Sequence, residues 1–519
     1  MKELLSKELP WTLILTILCL SLYLPCLGNR DLWGSVEPQY AEVARETLVD
    51  GHWIIPYYNG MPYTIKPSLY TWLIAVVSIP VGDVTEFTAR LPSALSALGM
   101  VLLVFFLGKE LLSRRVGLLA ALILVSSPQF YTSACMVRID MPLALLTTAS
   151  MATLYLGLAH SRTDYYLLGW FLATLAALLK GPLIPLIMAT VVLLYLFSRK
   201  ELRVLKERRT ILGVLVCIAT FLAWLLPVYL TGGGQDYLRG MYLLLGAYAT
   251  HEYHTKSFYF YLPELFGLGP WALLIPVAIF MFFRDKVEGL RLPCVWFLVM
   301  LFVFSWVSNK HSRYLLPLYP AAALLAAFPL DKYLSESAPS WPGLKAFPLL
   351  LFALIVGIEI ALLDAHCLPS PAVSLAVGAG GLLLAVYFAL RAGQFHLIFW
   401  AVLLVLVTFG ISHNQFLLPR ENEKRSEKAL CQDVINHIEP GAEWGVYGNL
   451  RAAYVFYTGT YLKSLGNEEY LTKFFSSKKR VYCLIKEEEL KKLKLPVTEV
   501  ARLKGTDKHN TVFILVSNR

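Results

Sequence analysis

Charge is what this chain has least of. Asp, Glu, Lys and Arg make up 16% of its 519 residues and hydrophobic residues 57%, whereas about a quarter of an ordinary soluble domain is charged. With a positive mean hydropathy, that balance excludes a soluble globular protein and predicts a polytopic membrane protein. Cysteine is sparse too: eight are scattered singly, with no CxxC and no metal-ligand spacing, which argues against a cysteine metal centre. Cys19, Cys26, Cys135, Cys217 and Cys294 lie in or beside apolar runs and read as packing residues. Cys431 and Cys483 fall in a polar tail, where a disulfide is open to them if that tail is exported. The first apolar run, WTLILTILCLSLYLPCLG, lacks a small-residue cleavage site, so it is expected to stay in the membrane as a span. Internal repeats and deeply placed charge pairs, the marks of a transporter, are missing as well. The net charge of +10 calls for no nucleic acid, because Lys and Arg gather in cytoplasmic loops.

What is present is a series of apolar runs near the ~20 residues that cross a bilayer. Expected spans are 11–28, 90–112, 116–134, 140–159, 165–179, 183–197, 210–230, 259–283, 292–307, 314–330, 346–363, 371–390 and 395–417, thirteen in all. A further run at 70–82 is short and interrupted by Pro80. If it does not cross, the basic loops 113–115, 198–209 and 284–286 and Arg391 all lie on the cytoplasmic side with the N-terminus, as the positive-inside rule requires. Residues 29–89, 231–258 and 308–313 and the tail then share the outer face.

The first outer loop reads as short helices against the membrane. In SVEPQYAEVARE, Ser35 is a plausible N-cap and Glu37 falls in the first turn. Tyr40, Ala41, Ala44 and Leu48 make an apolar stripe at helical spacing, with Glu42, Arg45 and Glu46 pointing elsewhere. From about 420 the run KALCQDVINHI reads as helix, and EWGVYG, KRVYCLI and TVFILVS read as strands, which predicts a small α/β domain.

Several ionisable residues stand at the outer ends of spans: Lys66 in YTIKPS, Arg138 and Asp140 in CMVRIDMP, Lys180 in LLKGPL, Lys310 and Arg313 in SNKHSRYLLPLYP. Each alone is explained by snorkelling or helix capping. Four or five cations on the face where cations should be scarce, with carboxylates beside them, suit the phosphate of a lipid carrier. Such a group needs most help as charge grows on it when it leaves. His251, Glu252 and His254 in HEYHTKSF are the one candidate for a divalent metal, although two histidines three apart are more often surface residues.

These residues also carry a resemblance. From Leu32 to Trp72, EPQYAEVARE, GHWIIP, NG, PY and KPSLYTW resemble the first exoplasmic loop of bacterial GT-C glycosyltransferases that use polyprenyl-phosphate sugars. The likeness is nearest to the 4-amino-4-deoxy-L-arabinose transferases of lipid A and their relatives, which include protein mannosyltransferases. RLPSAL, RIDMP, KGP, SFYFYLPELFGLGPW and SNKHSRYLLPLYPA agree in order. The resemblance implies an α-helical polytopic GT-C fold, with a membrane catalytic domain over 1–418 and a periplasmic α/β domain over 419–519. It also implies sugar transfer from undecaprenyl phosphate to a periplasmic acceptor, lipid A or another surface glycan, by a bacterial inner-membrane protein expected to act as a monomer. The family's Lys-Pro lysine, its aspartate at the fourth span and its Lys-Gly lysine match Lys66, Asp140 and Lys180. Glu37, Lys66 and Asp140 are thus the expected catalytic residues. Lys66, Arg138, Lys180, His254, Lys310, Arg313 and Tyr314 are the expected lipid-phosphate and substrate contacts. Two positions depart from the family: Val36 stands where it has an aspartate next to Glu37, and Ile65 where metal-binding relatives have a glutamate. Protein O-glycosylation, lipid-linked-sugar flipping and a non-catalytic lipid-binding role are the competing readings.

Overall fold

The computed structural model describes residues 2–232, 234–240, 256–307, 309–335, 395–413, 415, 418–493, 496–505 and 511–519. The chain divides into two compact units that do not follow chain order. One takes Met1–Leu24, Ile65–Pro67 and Ser93–His413, the other Pro25–Thr64, Ser68–Pro92 and Asn414–Arg519. The division expected at 418/419 kept residues 29–89 with the membrane part; here most of that loop groups with the C-terminal residues.

Among the described residues seven helices are long and apolar enough to cross a membrane: Glu8–Cys26, Glu86–Leu111, Asp140–Ala159, Arg208–Leu230, Phe258–Asp285, Glu288–Trp306 and Ser312–Ser335. The helices Arg114–Ser126 and Pro128–Ala134, bent by 68° at their junction, make a broken span or a re-entrant loop. The bend follows from Pro128, which has no N–H to continue the ladder and holds Ser127 extended at φ −74°, ψ 121°. The expected spans at 165–179, 183–197 and 395–417 are the helices Thr163–Lys180, Leu183–Arg199 and Phe395–Ser412. Those at 346–363 and 371–390 lie outside the described residues. The run at 70–82 gives a helix of only 10 residues, Leu69–Ser78, about 15 Å long at 1.5 Å per residue, half a bilayer core.

Asp140–Ala159 and Thr163–Lys180 form a tight antiparallel hairpin in the first unit. A Cβ at Gly157 would fall 2.6 Å from the Tyr166 nitrogen, so only glycine lets the two backbones approach this closely. The Ser150 hydroxyl donates across the pair to the Gly169 carbonyl at 2.7 Å.

In the second unit a mixed five-stranded sheet runs in the order β4-β3-β5-β7-β6. Its strands are β3 (Trp444–Tyr447), β4 (Lys463–Leu465), β5 (Tyr482–Lys486), β6 (Thr498–Lys504) and β7 (Val512–Ser517); the two-residue strands β1 (Tyr57–Tyr58) and β2 (Met61–Pro62) form a hairpin in the loop. Central β5 is buried on both sides, which is why YCLI reads as an unbroken apolar run. Tyr482 and Leu484 enter one core with Cys431, while Cys483 and Ile485 enter the other. Cys431 and Cys483 are both free thiols, and residues on opposite faces of a sheet do not pair.

The helix Val36–Val49 forms where the sequence predicts it, with two corrections. Ser35 stands at the cap position with helical angles, φ −86° and ψ −29°, and makes no side-chain capping bond, because a cap needs the extended conformation. Tyr40, Ala41 and Ala44 are buried as expected, but so are Glu42 and Glu46, at 1% and 2% exposure. Glu42 is matched by Arg45 at 2.7 Å, and Glu46 accepts the backbone N–H groups of Asn59 and Gly60. Local partners therefore keep the polar face inside.

Candidate active site

Three short segments bring ionisable groups together in the first unit. Asp140 is the first residue of Asp140–Ala159, where the helix N-terminus favours an anion. Lys180 is the last residue of Thr163–Lys180, followed by Gly181 at φ 94°, ψ 178°, a conformation open only to glycine. That is the local logic of Lys-Gly-Pro: the lysine at the helix C-terminus, a glycine to turn the chain, and Pro182 before Leu183–Arg199. Arg313 and Tyr314 lie on the 3-10 turn Ser312–Leu318, which packs against Asp140–Ala159.

The Lys180 ammonium lies 2.6 Å from Asp140 Oδ1 and the Arg313 guanidinium 3.6 Å from Oδ2. Lys180 also sits over the Tyr314 ring, 3.8 Å from its centre. The charge of Lys66 acts on the same carboxylate. In this group of four, cations outnumber the carboxylate by two. Asp140 is buried, while Lys66 and Arg313 are half-buried. Beside them lies a small, partly open hollow walled by Asp140, Lys180, Tyr261, Asn309 and Tyr314 and by apolar side chains such as Leu183 and Phe304. A net positive wall facing an apolar lining can hold an anionic head on a hydrocarbon chain.

Not every expected contact joins this group. Lys310 is buried and gives its ammonium to the Lys256 carbonyl at 3.1 Å. Arg138, two residues before Asp140, has its backbone N–H and carbonyl bonded to the Ser93 hydroxyl, and its guanidinium reaches the Met136 sulfur at 3.4 Å. His251 and His254 lie outside the described residues.

Glu37 belongs to the second unit and is 4% exposed. Arg30 grips it bidentately at 2.7 and 2.9 Å, and Arg90 lies 3.4 Å away. Arg90, wholly buried, also donates to the carbonyls of Leu27, Arg30 and Asp31. These bonds fasten the entry of the loop, and a carboxylate shared by two guanidiniums is a poor proton acceptor. Arg30 and Arg90 escaped the sequence reading. The signal was there for Arg90, since an arginine within an apolar helix requires a partner.

The described residues do not fit a divalent metal. No three His, Cys, Asp or Glu side chains cluster among them, Val36 and Ile65 offer no ligand atom, and the Glu37 oxygens are taken by arginine.

Residues 65–226 match the family model described as dolichyl-phosphate-mannose-protein mannosyltransferase. The crystal structure of ArnT from Cupriavidus metallidurans bound to undecaprenyl phosphate superposes with a TM-score of 0.77, covering 98% of both chains at 19% identity. The chain shares the fold of ArnT. The archaeal oligosaccharyltransferase AglB from Archaeoglobus fulgidus is a more distant fold neighbour, with a TM-score of 0.52 and 12% identity over 92% of this chain and 70% of that one. Among curated relatives, an undecaprenyl phosphate-alpha-4-amino-4-deoxy-L-arabinose arabinosyl transferase of Pseudomonas fluorescens Pf0-1 is 29% identical over 60% of this chain, and one of Pseudomonas fluorescens Pf-5 is 30% identical over 62%. The matches span 56% and 57% of those relatives' lengths.

Proposed function

We propose that this ArnT-like chain is an integral membrane glycosyltransferase that moves a sugar from a polyprenyl-phosphate carrier to an acceptor at the outer face of a bacterial inner membrane. The observation that carries this is the Asp140–Lys180–Arg313 group, with Lys66 in electrostatic reach, at the wall of an apolar hollow. In the reaction the bond from the anomeric carbon to the phosphate oxygen breaks as the acceptor oxygen bonds to that carbon. The carrier phosphate leaves with one more negative charge. Lys66, Lys180 and Arg313 meet that charge, and Asp140 holds Lys180 and Arg313 in register for it. Tyr314 supports Lys180 from below, and Arg138 lies at the margin as a further contact for an anionic substrate.

An acceptor phosphate, such as one on lipid A, needs no base; a hydroxyl acceptor does. The arginine-bound state of Glu37 favours the first. Loop charge supports a cytoplasmic N-terminus and a periplasmic C-terminal domain, to which we assign acceptor contact. The mannosyltransferase family match over 65–226 favours a protein hydroxyl as the second reading.

The test is to incubate the purified protein in proteoliposomes with a labelled polyprenyl-phosphate sugar. Label transferred to lipid A supports the proposal, and transfer to protein supports the second reading. Movement across the bilayer without transfer, or binding alone, refutes both.

A further inference from the structure

Most polar side chains around the hollow are already engaged. Asp140 holds Lys180 and Arg313, Lys180 lies on Tyr314, and the Tyr261 hydroxyl takes the backbone N–H of His311. Asn309 is different. Its side chain lines the hollow, yet its Oδ1 is buried with no hydrogen-bond partner among the described residues. A buried amide oxygen without a donor is unfavourable and invites one.

Chemistry narrows what that donor is. A phosphodiester at neutral pH carries only acceptor oxygens, and a polyprenyl tail carries no polar group. Of the three parts of a lipid-linked sugar, only the sugar offers N–H or O–H donors. A hydroxyl both donates and accepts, so it satisfies the amide in either orientation. We propose that Asn309 is a sugar-recognition residue, which hydrogen-bonds a ring hydroxyl or amine of the transferred sugar while the phosphate rests on Lys180 and Arg313. The proposal rests on the lipid-phosphate reading above and assigns a residue to the one part of the donor that the charged group does not address.

The experiment compares two probes, undecaprenyl phosphate and undecaprenyl phosphate bearing one hexose, bound to the full-length protein in nanodiscs. The readout is the ratio of the two affinities in each protein, because the bare phosphate carries more charge than the diester and sets its own baseline. Asn309→Leu removes the unmet polar group and should melt at or above the wild-type temperature. It should shift that ratio against the sugar-bearing lipid by about five- to thirtyfold relative to wild type, the worth of one hydrogen bond, and bind the bare lipid within about twofold of wild type. An Asn309→Leu protein with an unchanged ratio overturns the assignment while leaving the phosphate site standing. Failure of wild type to bind either lipid overturns the lipid-phosphate reading and the assignment with it.

Discussion

Substituting Glu37 by Gln separates two roles that the sequence left open, general base and anchor of the loop. The carboxylate faces two arginines that are 3% and 0% exposed, and the amide replacing it turns an N–H donor towards guanidiniums that have no acceptor to take it. Breaking a buried pair on one side costs about 3–5 kcal/mol, because the remaining charges stay buried without compensation. The second unit provides its own reporters. Cys431 and Cys483 are free thiols at 2% and 0% exposure, so a thiol reagent reaches them only when the unit opens. At 1.36 kcal/mol per decade, the substitution should speed their labelling by roughly two to three and a half orders of magnitude, as read by mass spectrometry of the digested protein. Wild-type labelling and melting combined with lost turnover would refute the anchoring role and restore Glu37 as the base.

Gly181→Ala forces a side chain into a conformation reserved for glycine, at about 1–3 kcal/mol, and displaces Lys180; transfer should fall at least tenfold, with an intact far-UV spectrum showing that the helices remain. Glu42 should make the second unit sensitive to pH. Burial pushes its carboxyl up to about 7 from 4.5, against the pull of Arg45 and with the charges of Glu46 and Asp83 adding to the rise. A folded-state value above the unfolded one means the native state binds the extra proton, so stability falls as pH rises from about 4.5 to about 7 and levels off above. Glu42→Gln should remove a slope worth up to about 3 kcal/mol over that range, measured by denaturation at pH 5 and pH 8; an unchanged slope refutes the assignment.

Periodicity and composition carried the reading a long way. The three strand-like segments of the tail, the helix after Ser35 and, among the described residues, seven of the apolar runs depend on local pattern and form where the pattern puts them. Lys180 was legible as a candidate only in company, because alone it reads as a helix-end lysine, and it is its meeting with Asp140 and Arg313 that the structure adds. What was hidden depends on partners far away in sequence. Glu37 and Arg90 are 53 residues apart, and nothing in EPQYAEVARE announces that its first glutamate is locked. Periodicity turned the polar face of that helix away from its apolar stripe, yet Arg45 and the N–H groups of Asn59 and Gly60 make burial of Glu42 and Glu46 tolerable. Asn309 went unnoticed inside SNKHSRYLLPLYP because a neutral amide between charged neighbours gives no electrostatic signal; only the unmet oxygen beside the hollow reveals it.

The central claim is that Lys180 and its neighbours grip a lipid-borne phosphate. The most direct measurement is the affinity of purified wild type and Lys180→Gln for undecaprenyl phosphate in nanodiscs, with a neutral polyprenol as control. Loss of one charge-assisted contact at a partly buried site predicts binding at least tenfold weaker, about 1.4 kcal/mol, with the neutral polyprenol binding weakly to both proteins. Equal affinity of the two proteins for the phosphate would contradict the account.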